Sequence, residues 1–93
     1  MMKYSVEYTK RALKSLNSFD KFVRERICDW IDENLVDCEN PRQYGKALTG
    51  TYKGEWSYRV GDYRIIVEIQ DNRILILITA IGHRSEIYKQ RRN

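Results

Sequence analysis

The chain has 93 residues, with 17 Lys and Arg against 13 Asp and Glu, which gives a formal net charge of +4. A chain of this length has room for one modest hydrophobic core, so we expect a single domain over residues 1–93. Its longest apolar run, Ile74 to Ile81, has the length of a strand and is too short to cross a membrane.

Basic residues concentrate in the second part of the chain. Residues 1–39 hold 7 Lys and Arg and 8 Asp and Glu, a net charge of −1, whereas residues 40–93 hold 10 and 5, a net charge of +5. This asymmetry favours a polyanion as partner. A basic protein with a solvated positive face is the alternative.

The N terminus carries no signal-peptide pattern, which predicts a cytoplasmic protein. In that compartment we expect Cys28 and Cys38 to stay reduced rather than pair. The two cysteines also lack the further Cys or His that a zinc site needs, so we predict neither a metal nor another cofactor.

The first half of the chain predicts a strand followed by two helices. Residues 4–8 alternate apolar and polar side chains, as a half-buried strand does. Thr9 can cap a helix that ends at about Leu16, and Ser18 can cap a longer helix that ends at about Leu35. Apolar residues at helical spacing should give the two helices one joint face: Ala12, Leu13 and Leu16, then Phe19, Phe22, Val23, Ile27, Trp30, Ile31 and Leu35.

The second half predicts a loop and three strands. Residues 37–50 have the glycines and turn residues of a loop, and strands are expected at 56–60, 63–69 and 73–81. The apolar run of the last strand predicts that it is covered on both sides, and residues 89–93 should form a frayed basic tail. The order β-α-α-β-β-β predicts an α+β domain. We expect a mostly antiparallel four-stranded sheet with a helical hairpin packed on one face.

The Gly61-Asp62 pair, which lies between two alternating runs, is a strong signal for a β-hairpin. If these two residues form the loop, Arg59 lies directly opposite Arg64 on the neighbouring strand. Two guanidinium groups in that position repel each other, so the pair favours a bound anion. Phosphate is the anion that the planar guanidinium fork suits best.

The arginine pair is predicted to lie on the sheet face that the helices leave open, because the other face of the hairpin is apolar and should pack against them. The same register places Glu55 opposite Glu68 at the far end of the open face. These carboxylates could simply balance the arginines in surface ion pairs, which are worth about 0–1 kcal/mol and need no function.

Three segments together carry a resemblance to a known family. They are KALTG at residues 46–50, YRVGDYRII at 58–66 and IGHRSEIY at 81–88. With these segments the chain resembles the RelE/ParE superfamily of toxin–antitoxin toxins over nearly its whole length, and the predicted element order agrees with that resemblance.

The RelE branch implies a ribosome-dependent endoribonuclease that cuts messenger RNA in the A site and so inhibits translation, without a metal. A ribose 2′-hydroxyl attacks the adjacent phosphorus, the 5′-oxygen departs and a cyclic phosphate forms. By position, Arg64 resembles the family's arginine that stabilises the transition state, and Arg84 resembles its second phosphate-binding arginine. Tyr88 resembles the tyrosine that orients or activates the nucleophile and stacks on a base. A simple docking contact of the C-terminal segment is the alternative for Tyr88.

The chain departs from the family at two positions. The best-known member carries two lysines where this chain has Glu55 and Ser57, and Lys53 lies two residues upstream. Glu55 could replace the base, although an exposed Glu ionises near about pH 4 and is a weak base at neutral pH. His83, the single histidine of the chain, is the other candidate for proton transfer. An inert turn residue is the alternative for His83.

The candidate site residues form two sets. The catalytic candidates are Arg59, Arg64, Arg84, His83, Tyr88 and Glu55, and the RNA-binding candidates are Lys46, Lys53, Ser57, Lys89, Arg91 and Arg92. Contacts of the last two with the phosphate backbone of ribosomal RNA should weaken sharply with salt.

The resemblance also implies partners. These are a cognate antitoxin, the messenger RNA and the ribosome, with operator DNA reached only through the antitoxin and no membrane involved. Two alternatives stay open for the activity. The chain could belong to the ParE branch, which inhibits DNA gyrase, or it could be a catalytically decayed module that only binds its antitoxin.

Overall fold

The computed structural model describes residues 2–89, which form a five-stranded mixed sheet with two helices on one face. The strand order is β1-β5-β4-β3-β2, in which β1 runs parallel to β5 and every other neighbouring pair is antiparallel. The predicted α+β class is therefore confirmed. None of the helices within residues 2–89 is long and apolar enough to span a bilayer.

The sheet has one strand more than the sequence predicted. The strands are β1 Ser5–Tyr8, β2 Lys46–Ala47, β3 Trp56–Val60, β4 Tyr63–Gln70 and β5 Leu75–His83. The extra strand is β2, which lies inside the predicted loop and pairs Lys46 with Ser57 and Ala47 with Trp56. Two residues are too few to show an alternating pattern, so this strand depends on its neighbour β3 and has no signal of its own.

The two helices are α1, Lys10–Ser18, and α2, Lys21–Asn34. Thr9 caps α1 as predicted, because its Oγ1 accepts the backbone N–H of Ala12 at 3.1 Å. The predicted cap of α2 is wrong. Asp20 takes that position and accepts the N–H of Val23 at 3.0 Å, whereas Ser18 still belongs to the last turn of α1.

The apolar face of α2 is narrower than predicted. Ile27 and Ile31 are buried in the core, but Phe22 is 79% exposed. At 3.6 residues per turn, Phe22 lies about 140° and 180° around the helix from those two residues, so it faces away from the sheet. Leu13 of α1, at 45% exposure, also lies at the margin of its stripe.

A bulge in β5 explains how its apolar run serves both faces of the sheet. Opposite β4 the register passes from Ala80 to Ile78, which leaves Thr79 as the extra residue. Ile78 and Ile81 therefore both pack in the core on the helix side, while Ala80 packs on the other side. The prediction of a central strand covered on both faces is confirmed, because β5 lies between β1 and β4.

The sequence predicted that the second sheet face would be open. The structure shows that part of this face is covered. Ile87, from the segment after β5, is fully buried there against Ile66 and Ala80. Gly82 suits this approach, because a Cβ at that position would lie 3.0 Å from Cδ1 of Ile87, which would then have to shift. The arginine end of the face stays accessible beside this small second core.

Candidate functional site

The β3–β4 hairpin forms the arginine pair that the sequence predicted. Arg59 lies opposite Arg64, and Val60 lies opposite Tyr63. Gly61 has a φ of +60°, which glycine adopts at little cost in a two-residue turn. The like-charged pair is thus fixed by backbone hydrogen bonding and not by attraction between the side chains.

Arg59 and Arg64 line a groove of about 350 Å³ on the face away from the helices. Lys46 of β2 adds a third cation, and it is placed there by its pairing with Ser57. The other lining residues are Tyr44, Gly45, Leu48, Ser57 and Tyr88. Among the lining residues, all within 2–89, none is acidic, so the groove attracts an anion.

Arg64 is held next to the hairpin turn. Its Nη1 donates to the carbonyl oxygens of Gly61 at 3.3 Å and of Tyr63 at 3.2 Å. Because both acceptors are neutral, these bonds orient the guanidinium without cancelling its charge. The remaining donors of its fork are suited to two oxygens of a phosphate.

Arg84 lies at the same turn but does not line the groove. Its backbone N–H donates to the carbonyl of Asp62 at 2.8 Å, and its Nε lies 3.6 Å from Oδ1 of Asp62. The Arg84 side chain is 63% exposed, so it can leave this ion pair at little cost.

His83 lies on the opposite face of the sheet from the groove. It pairs with Tyr63, and the two rings lie 5.5 Å apart in an edge-to-face arrangement. Its Nδ1 lies 2.8 Å from Oγ of Ser85. The structure therefore does not bring His83 together with the arginines, and its role in proton transfer stays a prediction.

Glu55 and Lys53 line a separate cavity of about 350 Å³, together with Glu68 and Thr79. Oε1 of Glu55 accepts a long hydrogen bond of 3.4 Å from the hydroxyl of Thr79. The predicted direct pairing of Glu55 with Glu68 is not part of the ladder, because β3 begins at Trp56.

The remaining RNA-binding candidates either do not line the groove or lie beyond the described residues. Lys89 is exposed after the segment that carries Tyr88. Arg91 and Arg92, with most of the predicted basic tail, lie outside the described residues. Sequence reasoning missed Tyr44 as a lining residue, since nothing in a predicted loop indicated which way it would face.

Comparison with known proteins identifies the family. A family model described as the ParE toxin of the type II toxin–antitoxin system parDE matches residues 6–88. The toxin RelG of Mycobacterium tuberculosis is 27% identical over 89 residues, which cover 96% of this chain and 100% of that protein. The mRNA interferase toxin RelE of Escherichia coli is 29% identical over 94 residues, covering 96% of this chain and 94% of that protein.

Comparison with solved structures also identifies a toxin of this kind. The crystal structure of the toxin–antitoxin complex RelBE2 from Mycobacterium tuberculosis matches with a TM-score of 0.81 and 26% identity, over 91% of this chain and 95% of that one. The match of the family model to residues 6–88 covers most of the 93 residues, and the named relatives are RelE and RelG toxins. The chain therefore belongs to the ParE toxin family of type II toxin–antitoxin systems and is a RelE-like toxin.

Proposed function

We propose that this toxin is an endoribonuclease that cuts messenger RNA on the ribosome and thereby inhibits translation. The observation that carries the proposal is the groove in which Lys46, Arg59 and Arg64 converge beside Tyr88, with no acidic lining residue between 2 and 89. A groove of this kind suits one phosphate of a single strand and an adjacent base.

The proposed reaction is internal transesterification of RNA. The ribose 2′-oxygen bonds to phosphorus, the bond from phosphorus to the 5′-oxygen breaks, and the products are a 2′,3′-cyclic phosphate and a free 5′-hydroxyl. Negative charge grows on the non-bridging oxygens as the phosphorane forms. Lys46, Arg59 and Arg64 are arranged to stabilise that charge, which is the largest catalytic contribution that such a site can make.

One proton leaves the 2′-oxygen and one reaches the 5′-oxygen in this reaction. Among the groove's side chains, Lys46, Tyr44 and Tyr88 can exchange a proton. Glu55 and His83 lie outside the groove, so the proposal does not depend on either. Undiminished cleavage by the variants Glu55→Gln and His83→Gln would remove both from the mechanism.

We also propose that the toxin is controlled by a cognate antitoxin. The RelBE2 relative was solved as a toxin–antitoxin complex. The net charge of +5 over residues 40–93 suits an acidic segment that folds on binding. Operator DNA would then be reached only through the antitoxin.

Inhibition of DNA gyrase is the alternative activity, and two observations favour it. The matching family model is that of ParE toxins, and Glu55 and Ser57 stand where the RelE resemblance implies lysines. A gyrase inhibitor needs no transesterification chemistry, so the two activities are separable by experiment.

The test is to induce the toxin in growing bacteria and map the 5′ ends of messenger RNA. We expect frame-dependent breaks within codons, which disappear in Arg64→Ala. Arg73→Ala is the matched control, because Arg73 contacts Gln70 at the far turn of the sheet and lies outside the groove. Growth arrest without breaks would indicate gyrase, and no arrest at all would indicate a decayed binding module.

A further inference from the structure

Tyr52, which no sequence pattern singled out, contacts Tyr88 in two ways. Tyr52 ends the short 3₁₀ turn Gly50–Tyr52 that connects β2 to β3. Its hydroxyl donates to the main-chain carbonyl of Tyr88. The two rings also pack edge to face, with their centroids 5.4 Å apart and their planes at 62°.

Tyr88 has other anchors besides Tyr52, and its side chain packs partly buried against the second core beside Leu48. The burial of Ile87 against Ile66 and Ala80 anchors the segment to the sheet. Backbone bonds from Glu86 and Ile87 to the carbonyl of His83 keep the turn closed at its start. These contacts hold Tyr88 against the sheet face, and the ring contact with Tyr52 further restricts the direction of the Tyr88 ring, which lines the groove.

We propose that Tyr52 is a positioning residue, which holds Tyr88 at the edge of the groove so that its ring is ready to stack on a nucleotide base. The inference rests on the proposed function, since it gives Tyr88 an RNA base as its contact. Tyr52 does not line the groove and therefore acts through Tyr88. A ring already fixed in the free toxin loses less conformational entropy on binding, so the reaction is faster and the RNA complex is tighter.

The decisive variant is Tyr52→Phe, which keeps the ring and removes only the donor hydroxyl. We expect the single-turnover rate of cleavage on ribosomes to fall roughly fivefold, as suits the loss of one hydrogen bond. Tyr4→Phe is the matched control, because it removes a tyrosine hydroxyl bonded to Asp71, and neither of these residues lines the groove. We expect that control to cleave at the wild-type rate.

A double-mutant cycle separates positioning from general stability. If Tyr52 acts through Tyr88, Tyr88→Ala and Tyr52→Phe/Tyr88→Ala should cleave at the same reduced rate. Additive losses, or a wild-type rate for Tyr52→Phe alone, would overturn the inference.

A second measurement does not depend on cleavage. In the free toxin carrying labelled tyrosine, NMR relaxation should show the Tyr88 ring less ordered in Tyr52→Phe than in the wild type. Equal ring order in the two proteins refutes positioning. If the wild-type toxin does not cleave RNA at all, the proposed function and the base contact both fail, and ring order alone then decides whether Tyr52 positions Tyr88.

Discussion

The arginine pair of the hairpin costs the folded sheet some stability. Directly opposed like charges destabilise a sheet by about 0.2–1 kcal/mol, and Arg59 and Arg64 are opposed by register. The bonds of Arg64 to the neutral carbonyls of Gly61 and Tyr63 leave its charge in place. The hairpin therefore keeps two positive charges beside the groove at some cost in stability, an arrangement that suits an anion.

The position of Lys46 leads to a prediction about the effect of single substitutions on cleavage. It lies directly opposite Ser57, so a lysine at either position could extend into the same groove. We expect Lys46→Ala to reduce cleavage about 100-fold, as removal of one transition-state cation does. Adding Ser57→Lys in that background should restore at least a tenth of the wild-type rate, because the ammonium returns from the neighbouring strand.

Lys53→Ala provides the control for this series. Lys53 lies in the other cavity, with Glu55 and Glu68, and should not contact the scissile phosphate. We expect its loss to change single-turnover cleavage less than threefold. If Lys46→Ala and Lys53→Ala reduce the single-turnover cleavage rate equally, Lys46 does not stabilise the transition state.

At the scale of secondary-structure elements, contacts among Arg42, Asp71, Tyr4 and Trp56 hold the loop that leads into β2. We call this group of contacts the clamp. Arg42 in that loop makes two bonds to the carboxylate of Asp71, at 3.2 and 2.9 Å. Tyr4 donates to the same carboxylate at 2.7 Å, and the guanidinium of Arg42 lies over the ring of Trp56. The clamp thus ties the N-terminal strand, the loop and the β4–β5 turn together at the end of the sheet beyond the groove.

The clamp predicts a pH dependence of stability. Hydrogen bonds from Arg42 and then Tyr4 hold the pKa of Asp71 below its usual value. A carboxyl whose pKa is lowered by folding stabilises the folded state above its unfolded pKa, and this stabilisation is lost as the pH falls through the folded pKa. We expect Asp71→Asn to lower the free energy of unfolding by about 1 kcal/mol or less at pH 7, since the pair is exposed.

The measurement is urea unfolding of the wild type and Asp71→Asn from pH 7 down to pH 2. The difference between them should shrink as the pH falls below the ordinary range of a carboxyl group and vanish once Asp71 is protonated in the folded state. A difference that stays constant over this range would show that the carboxylate is not responsible. Arg42→Gln added to Asp71→Asn should cost only the contact of Arg42 with the Trp56 ring in addition, because the ion pair is already lost.

The sequence predicted those elements whose signals are local. The Gly61-Asp62 turn and the period-two runs around it were enough to predict that Arg59 lies opposite Arg64. The strand β2 and the burial of Ile87 were not predictable in this way. Both depend on partners distant along the chain, and the bulge at Thr79 that turns Ala80 toward Ile87 has no sequence signal of its own.

The candidate site was likewise predicted only in part, because the sequence indicates local structure but not contacts between distant residues. Arg59, Arg64, Lys46, Ser57 and Tyr88 do line one groove. The sequence could not tell which face His83 would take, because the parity of β5 changes at the bulge. Glu55 was placed on the correct face, but four residues along a strand span about 13 Å, which separates it from Arg59.

At the scale of the whole molecule, the uneven charge predicts how binding responds to salt. A cation that contacts a phosphate releases counterions, so log affinity falls with log salt by about 0.7 for each contact to a single strand. Arg59 should make such a contact, since it is an exposed cation of the groove. Arg73 carries the same charge at the far turn and should not.

We therefore expect Arg59→Gln to lower the salt slope of RNA binding by about 0.7, and Arg73→Gln to leave it unchanged. The probe is a fluorescent single-stranded 2′-O-methyl RNA, which cannot be cleaved because its 2′-oxygens are blocked, and the readout is anisotropy between 20 and 200 mM salt (roughly the range in which such contacts weaken). Both variants have the same net charge, so a general electrostatic attraction would reduce the two slopes equally. Unequal slopes would place the phosphate in the groove, whereas equal slopes would mean that the positive half of the molecule attracts RNA without a defined site.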